Sequence, residues 1–179
     1  YYNLSKILKD LERVKKAELS LRQAIELKPD FAEAYYNLGI TLRDQDQLEE
    51  AELSLRKAIE LESNYYDACF NLSWLQLLRG EYESGLKNYE FRFKTKEPVI
   101  THANTKLKQI NNEKLQKGEK LLVISEQGLG DTLQYMRYVP YLRKLGLDVS
   151  FAAQTKLHTL IKASGIDLNP LTPTQANTV

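Results

Sequence analysis

The stretch Glu18-Leu-Ser-Leu-Arg22 recurs as Glu52-Leu-Ser-Leu-Arg56, thirty-four residues later, in a chain of 179 residues. The match extends to Ala17 against Ala51, and to Ala24-Ile-Glu-Leu27 against Ala58-Ile-Glu-Leu61. A fixed period of this length marks stacked helix pairs, each burying its apolar face on the next. Such arrays present an extended open surface, so the first half of the chain reads as a binding surface.

The period runs three times. Tyr1-Tyr-Asn-Leu4 aligns with Tyr35-Tyr-Asn-Leu38 and with Cys69-Phe-Asn-Leu72. Small residues recur where helices must approach closely, at Ala17, Ala51 and Gly85 and again at Ala24 and Ala58. Large apolar residues recur at Leu21, Leu55 and Tyr89. Leu48, Ala51, Leu55 and Ala58 follow spacings of three and four, the signature of an amphipathic helix.

Tyr35, Leu38, Gly39, Ala51, Leu55 and Ala58 fit the aromatic, Leu-Gly and small-residue pattern of the tetratricopeptide repeat family, which this region resembles over residues 1–93. The resemblance implies a helical solenoid of about three repeats, the first truncated. The third is degenerate, because Gly85 and Arg92 replace two of the usual small residues. Terminal repeats normally carry a polar cap, so Tyr1 is expected to be a cut end with further repeats before it.

In that family the first helix of each pair lines the inner groove. The resemblance therefore places Asn3, Asn37 and Asn71 at one groove position. A side-chain amide both donates and accepts, so a row of them suits an extended peptide backbone. The array of O-linked N-acetylglucosamine transferase uses such a row, and this chain is similar there. Tyr36 and Phe70, like Tyr2, precede the asparagines and offer flat apolar contacts. Lys6, Lys9, Arg43, Asp44 and Trp74 fall at other groove-facing positions. Two alternatives stay open: Asn is also simply common at this position of the repeat, and Trp74 either anchors a ligand or packs against the downstream domain.

Composition narrows the field. The net charge is +1, so no global field argues for nucleic acid as a partner. Cys69 is the single cysteine, which excludes a disulfide framework or a cysteine metal cluster and fits a reducing, cytoplasmic setting. No apolar run approaches the length of a membrane span, and no cofactor motif stands in the repeats.

The character of the chain changes after Phe93. Residues 94–120 carry seven Lys and three Glu, with Pro98 and Gly118 as punctuation, and 94–119 reads as a connector containing His102. Lys120-Leu-Leu-Val-Ile-Ser125 is a short apolar run typical of a buried parallel strand. Thr132 to Leu145 reads as a helix interrupted by Pro140, and Val149-Ser-Phe-Ala-Ala153 as a second strand. A helix over Thr155 to Ala163 and a third strand beginning at Ile166 to Leu168 complete the pattern. Strand and helix alternating with short connections mean a small, incomplete α/β segment of Rossmann-like type over 120–179.

Gln127-Gly-Leu-Gly-Asp131 lies at the carboxyl end of the first strand, where open α/β sheets bind ligands. Gly128 and Gly130 allow a close backbone approach, and the N–H groups of the following helix favour an anion. A dinucleotide fingerprint needs a third glycine where Leu133 stands, and an acid where Ala153 and Gln154 stand. A phosphate loop needs Gly-Lys, and Gly130 is followed by Asp131.

The run Glu126-Gln-Gly-Leu-Gly-Asp-Thr-Leu-Gln134, with Arg137-Tyr-Val-Pro140 behind it, resembles the amino-terminal domain of heptosyltransferase-like glycosyltransferases. Tyr89-Glu-Phe-Arg92 is similar to the segment joining repeats to that domain in bacterial relatives. The resemblance implies that Asp131 is the general base for an acceptor hydroxyl, with Gln127, Gly128 and Gly130 shaping the substrate loop. An Asp directly before a helix is also a favoured N-cap, and the two roles can coexist. His158, away from the loop, is read as a surface residue, and Arg137 as structural.

In that family the nucleotide-sugar donor binds a second Rossmann domain, for which the residues after Leu171 leave no room. A donor is therefore expected only for a longer parent enzyme, and this chain alone is expected to be inactive. Two readings result. One is part of a glycosyltransferase whose repeats recruit a protein or peptide acceptor; the other is a non-catalytic interaction scaffold with the α/β segment as a structural cap. A cut repeat end would also expose apolar surface through which copies can pack.

Overall fold

A computed structural model describes residues 1–110, 113–126 and 128–179. The chain divides into two compact units, Tyr1–Pro98 and Val99–Val179.

The first unit is helical. Helices α1 (Tyr2–Asp10) and α2 (Val14–Leu27), α3 (Ala32–Arg43) and α4 (Leu48–Leu61), and α5 (Tyr66–Leu78) and α6 (Tyr82–Tyr89) form three successive pairs, followed by a 3-10 turn at Glu90–Phe93. Each pair packs internally, and the second helix of one pair packs on the first helix of the next. The core runs through Leu21, Leu38, Leu42, Leu55, Leu72 and Leu75, all buried. Each such leucine is worth about 1.5–3 kcal/mol when fully withdrawn from water.

The thirty-four-residue period is visible in the backbone itself. Glu12, Asp46 and Gly80 occupy the same turn between paired helices, and all three are left-handed, with φ of 56°, 59° and 80°. The next amide reaches back to close the first helix: Arg13 N to Leu8 O, Gln47 N to Leu42 O and Glu81 N to Gln76 O, at 2.8, 2.9 and 2.9 Å. This is the bond that a left-handed residue makes possible at a helix end. Gly39 lies where α3 crosses α4: a Cβ there would come within 2.8 Å of Leu55 Cγ and 3.1 Å of the Ala51 carbonyl.

The second unit holds a two-stranded parallel sheet, β1 (Lys120–Ile124) and β2 (Asp148–Ala152), in register from Lys120 opposite Asp148 to Ile124 opposite Ala152. Helices α7 (Leu129–Tyr135) and α8 (Tyr138–Lys144) form the crossover between them, and α9 (His158–Ala163) and α10 (Pro173–Ala176) follow. Successive strand residues face opposite sides. Leu121, Val123, Val149 and Phe151 therefore pack with Val139, Leu157 and Ile161, while Leu122, Ile124 and Ala152 pack with Leu171, Ala103 and Ala176.

Four readings from the sequence change here. The helix expected over Thr132–Leu145 is two helices, broken at Met136 and Arg137. The restart puts Pro140 in the first turn of α8, where its missing N–H needs no intrahelical partner. The first of these helices begins at Leu129, so Gly128, not Asp131, is the N-cap residue. The third strand expected at Ile166–Leu168 is replaced by a single parallel bridge from Ala152 to Leu171. Arg143 ties the segment down instead: it donates to the carbonyls of Val149 and Ile166 at 2.8 Å each and to Asp167 Oδ2 at 2.7 Å. Finally, residues 99–119 of the expected connector cluster with the second unit, and Ala103 is buried against its sheet.

Candidate functional site

The asparagine row is built into the array. Asn37 Nδ2 donates to the Glu33 carbonyl one turn back at 2.8 Å and to the Tyr2 hydroxyl of the preceding pair at 3.3 Å. Asn71 repeats this with the Asp67 carbonyl at 2.9 Å and the Tyr36 hydroxyl at 3.4 Å. Both amide hydrogens of each side chain are thus engaged. What the row offers to a ligand is its carbonyl oxygens, which accept and do not donate. Asn3 is exposed on α1, outside this bonded row.

Around the row lies a charged network. Arg43 Nη1 donates to Asn71 Oδ1 at 2.8 Å, and its Nη2 donates to Asp44 Oδ1 at 2.8 Å. Lys9 reaches the other Asp44 oxygen at 3.2 Å, and Lys6 sits 4.5 Å from the Tyr2 ring centre. Burial alone would raise the Asp44 carboxyl, but Arg43 and Lys9 outweigh it and hold it below its ordinary value. Burial, helped by Asp67, pushes the Tyr36 phenol above its ordinary value. Burial likewise raises the Cys69 thiol, which disfavours the reactive thiolate.

Phe70 joins an aromatic cluster at the third pair, 6.0 Å from Trp74 and 5.6 Å from Tyr89, with Trp74 and Tyr89 5.9 Å apart. The buried Arg92 guanidinium lies 4.5 Å from Tyr89 and 4.0 Å from Phe93. Trp74 thus packs on the Tyr89 segment and keeps about half its surface exposed. The Tyr89-to-Arg92 segment packs on α5 and α6 within the first unit.

In the second unit, Gly128 and Gly130 are exposed and Asp131 is half-buried in the first turn of α7. The Asp131 carboxylate folds back over Gly128, its Oδ2 3.2 Å from where a Cβ would stand. Gln127 lies outside the described residues. Beside this loop runs a chain of polar contacts that sequence reasoning missed. His102 Nδ1 donates to the Ser125 carbonyl at 2.7 Å, which leaves Nε2 to accept from Gln154 at 3.4 Å. Thr132 Oγ1 lies 2.9 Å from Gln154 Oε1 and 3.2 Å from the Gly128 carbonyl, and its single proton serves one of them at a time. Ser125 and Gln154 follow the ends of β1 and β2, so the chain lies along the carboxyl edge of the sheet. No sequence signal ties His102 to Ser125. His158, read as a surface residue, is half-buried, its Nε2 3.1 Å from the Ala153 carbonyl.

No group of His, Cys, Asp and Glu able to hold a metal occurs among the described residues, and none of their helices is long and apolar enough to cross a membrane.

Comparison with known proteins bears on the first unit. A tetratricopeptide repeat family model matches residues 32–65, and a second repeat model of the same class matches residues 6–43. The crystal structure of MamA is similar at 30% identity and a TM-score of 0.49, over 53% of this chain and 56% of that one. MamA 41-end from Desulfovibrio magneticus RS-1 is similar at 21% identity and a TM-score of 0.47, over 50% of each chain. The chain spans about half the length of these structures. A search of curated proteins finds no match. Residues 6–65 therefore carry tetratricopeptide repeats, the class of helical repeat through which proteins bind other proteins.

Proposed function

We propose that the first unit binds an extended protein or peptide segment along the face formed by α1, α3 and α5. The observation that carries this reading is the repeated tyrosine-to-asparagine bond, Tyr2 to Asn37 and Tyr36 to Asn71. It fixes both asparagine side chains from one pair to the next, so that the Asn37 carbonyl, and the second lone pair of the Asn71 carbonyl beside Arg43, accept N–H groups of a bound backbone without reading its side chains. Tyr36, Phe70 and Asn3 complete the lining, and Phe70 with Trp74 supplies an aromatic anchor. The test is selection of peptides from a displayed random library, with affinity then measured on the Asn37→Ala/Asn71→Ala double variant. Affinity at least about tenfold weaker supports the reading; unchanged affinity across all selected peptides sinks it.

A second reading concerns the second unit: it forms the acceptor half of a glycosyltransferase of Rossmann-like type. What favours it is the combination of a parallel crossover, a further parallel bridge at Leu171, and Gly128–Asp131 at the carboxyl edge of the sheet. In this reading Asp131 takes the acceptor proton as the hydroxyl attacks the sugar, and Gln127, Gly128 and Gly130 shape the loop. In this reading a nucleotide sugar is the donor, and the activity is sought in a parent protein that carries a domain to bind it. Transfer that survives Asp131→Asn undiminished in that parent would remove Asp131 from the chemistry. Total absence of transfer by the parent would leave the scaffold reading, with the α/β unit as a cap.

A further inference from the structure

The Ser125 carbonyl, at the carboxyl end of β1, is held twice by one residue. His102 donates to it from its backbone N at 3.1 Å and from its Nδ1 at 2.7 Å. Ser125 Oγ, 3.1 Å from the same ring nitrogen, is a second acceptor. A carbonyl only accepts, so the proton sits on Nδ1 and Nε2 is left as an acceptor. The ring is not needed to hold its own segment. The backbone bond does that, together with the burial of Ala103 and the bond from Asn104 N to Asn177 Oδ1 at 2.6 Å.

What the ring adds is direction. Its Nε2 faces Gln154 Nε2 at 3.4 Å, and the other end of that amide, Oε1, lies 2.9 Å from Thr132 Oγ1. An amide has one donor end and one acceptor end. Because Nε2 of His102 can only accept, the amide turns its nitrogen to the ring and its oxygen to Thr132. That oxygen gives the Thr132 hydroxyl an acceptor beside β2, in addition to the Gly128 carbonyl within its own turn. Thr132 is buried and directly follows Asp131, and its N–H closes the first turn of α7 on Gly128 at 3.1 Å.

We infer that His102 is a positioning residue for the Gly128–Asp131 loop: through Gln154 it ties Thr132, and with it the first turn of α7, to the carboxyl edge of the sheet. That Asp131 acts on a substrate rests on the glycosyltransferase reading above; the tie itself does not.

Two substitutions separate positioning from anchoring. His102→Gln sets an amide oxygen near the place of Nε2 and keeps the bond from Gln154. His102→Asn sets an amide near the place of Nδ1, keeps the bond to Ser125 and loses Gln154. Amide hydrogen exchange at Thr132 in the full chain reads the first turn of α7 without any substrate. Exchange should be about fivefold faster in His102→Asn and in Gln154→Leu, the size of one lost hydrogen bond, and unchanged in His102→Gln. Any other pattern overturns the inference: no change in all three, loosening in all three, or loosening by glutamine and not by asparagine, which would make His102 an anchor for its own segment only. The unsubstituted chain supplies a second measurement. Long-range nitrogen–proton spectra should show its two histidines as opposite tautomers. His102 carries its proton on Nδ1, and His158, whose Nε2 lies 3.1 Å from the Ala153 carbonyl, carries its proton on Nε2. A His102 protonated on Nε2 alone overturns the inference too. Absence of sugar transfer by a parent protein, with the exchange pattern as expected, would remove the glycosyltransferase reading and leave the tie standing.

Discussion

Glu52 on α4 accepts a hydrogen bond from Arg79 at the end of α5, in the place where Glu18 on α2 accepts from Gln45 at the end of α3. Each glutamate is also paired within its own helix, Glu18 with Arg22 and Glu52 with Arg56, at 3.0 and 2.6 Å. The verbatim Glu-Leu-Ser-Leu-Arg repeat thus has a structural cause. Its first residue ties one pair of helices to the next, and its last residue holds the first in position.

Glu52→Ala should destabilise the repeat unit by about 1–3 kcal/mol, because it removes a buried acceptor shared by two guanidinium groups. Arg79→Gln should cost under about 1 kcal/mol, since Gln45 shows that an amide serves in the same place. Urea unfolding of both variants checks the ranking. Equal costs would mean that an amide does not serve in the place of Arg79.

The left-handed turns give a prediction with opposite signs at equivalent positions. Asp46→Gly and Glu12→Gly should each stabilise by about 0.5 kcal/mol, because a side chain at positive φ is strained. Gly80→Ala should destabilise by about 1 kcal/mol, although nothing lies within 4 Å of its added methyl. Thermal melts of the three variants distinguish backbone strain from contact effects, since no contact is made or lost at Gly80.

Gly39→Ala tests the helix crossing directly. The new methyl meets Leu55 and the Ala51 carbonyl, so α3 and α4 must separate at their closest approach. The expected loss is about 1–3 kcal/mol. Gly39→Ala/Leu55→Ala should recover part of the clash while adding a cavity, so the two changes will not sum.

Alkali should loosen the first unit. Tyr65 is buried against Tyr36, ring centres 4.9 Å apart, and burial, with Glu33 and Tyr36 adding to it, pushes its phenol well above the ordinary value. A raised folded value means that the stabilisation is complete below the unfolded phenol value of about 10 and is lost as pH rises beyond it. Unfolding midpoints should therefore fall as pH climbs above about 10. Tyr65→Phe should flatten that fall, leaving the smaller contribution of Tyr36. A variant as alkali-sensitive as the parent would assign the effect elsewhere.

The period, the helix pairs and the core positions were readable from residues because each repeat restates them. The bonding of the asparagine row was not, because the partner of each asparagine is a tyrosine thirty-five residues back, one step off the thirty-four-residue register. In the α/β unit nothing repeats, so each boundary rested on one local signal. Gly130 read as loop, yet it lies inside the first turn of α7; Pro140 read as a kink, yet the chain restarts a helix two residues before it. His102 and Ala103 read as connector because contacts with Ser125 and Ala152 leave no mark in local composition.

Arg143 carries the last prediction. It bridges α8, β2 and residues 166–167, and Asp167, itself buried, depends on it. Arg143→Met keeps the apolar stem and removes the charge, which leaves the Asp167 carboxylate buried with a single amide donor, Asn169 N at 2.8 Å. The expected cost to the second unit is about 3 kcal/mol, the scale for a buried ion pair broken from one side. Asp167→Asn in the same chain should recover part of it by removing the stranded charge. Trp74, the single tryptophan, lies in the first unit, so its fluorescence reports that unit's unfolding. Amide hydrogen exchange at Val149 to Phe151 reports the second. Faster exchange in β2 of Arg143→Met, slowed again by Asp167→Asn, is the outcome this bridge requires. Exchange unchanged in both would show that β2 is held by its apolar face alone.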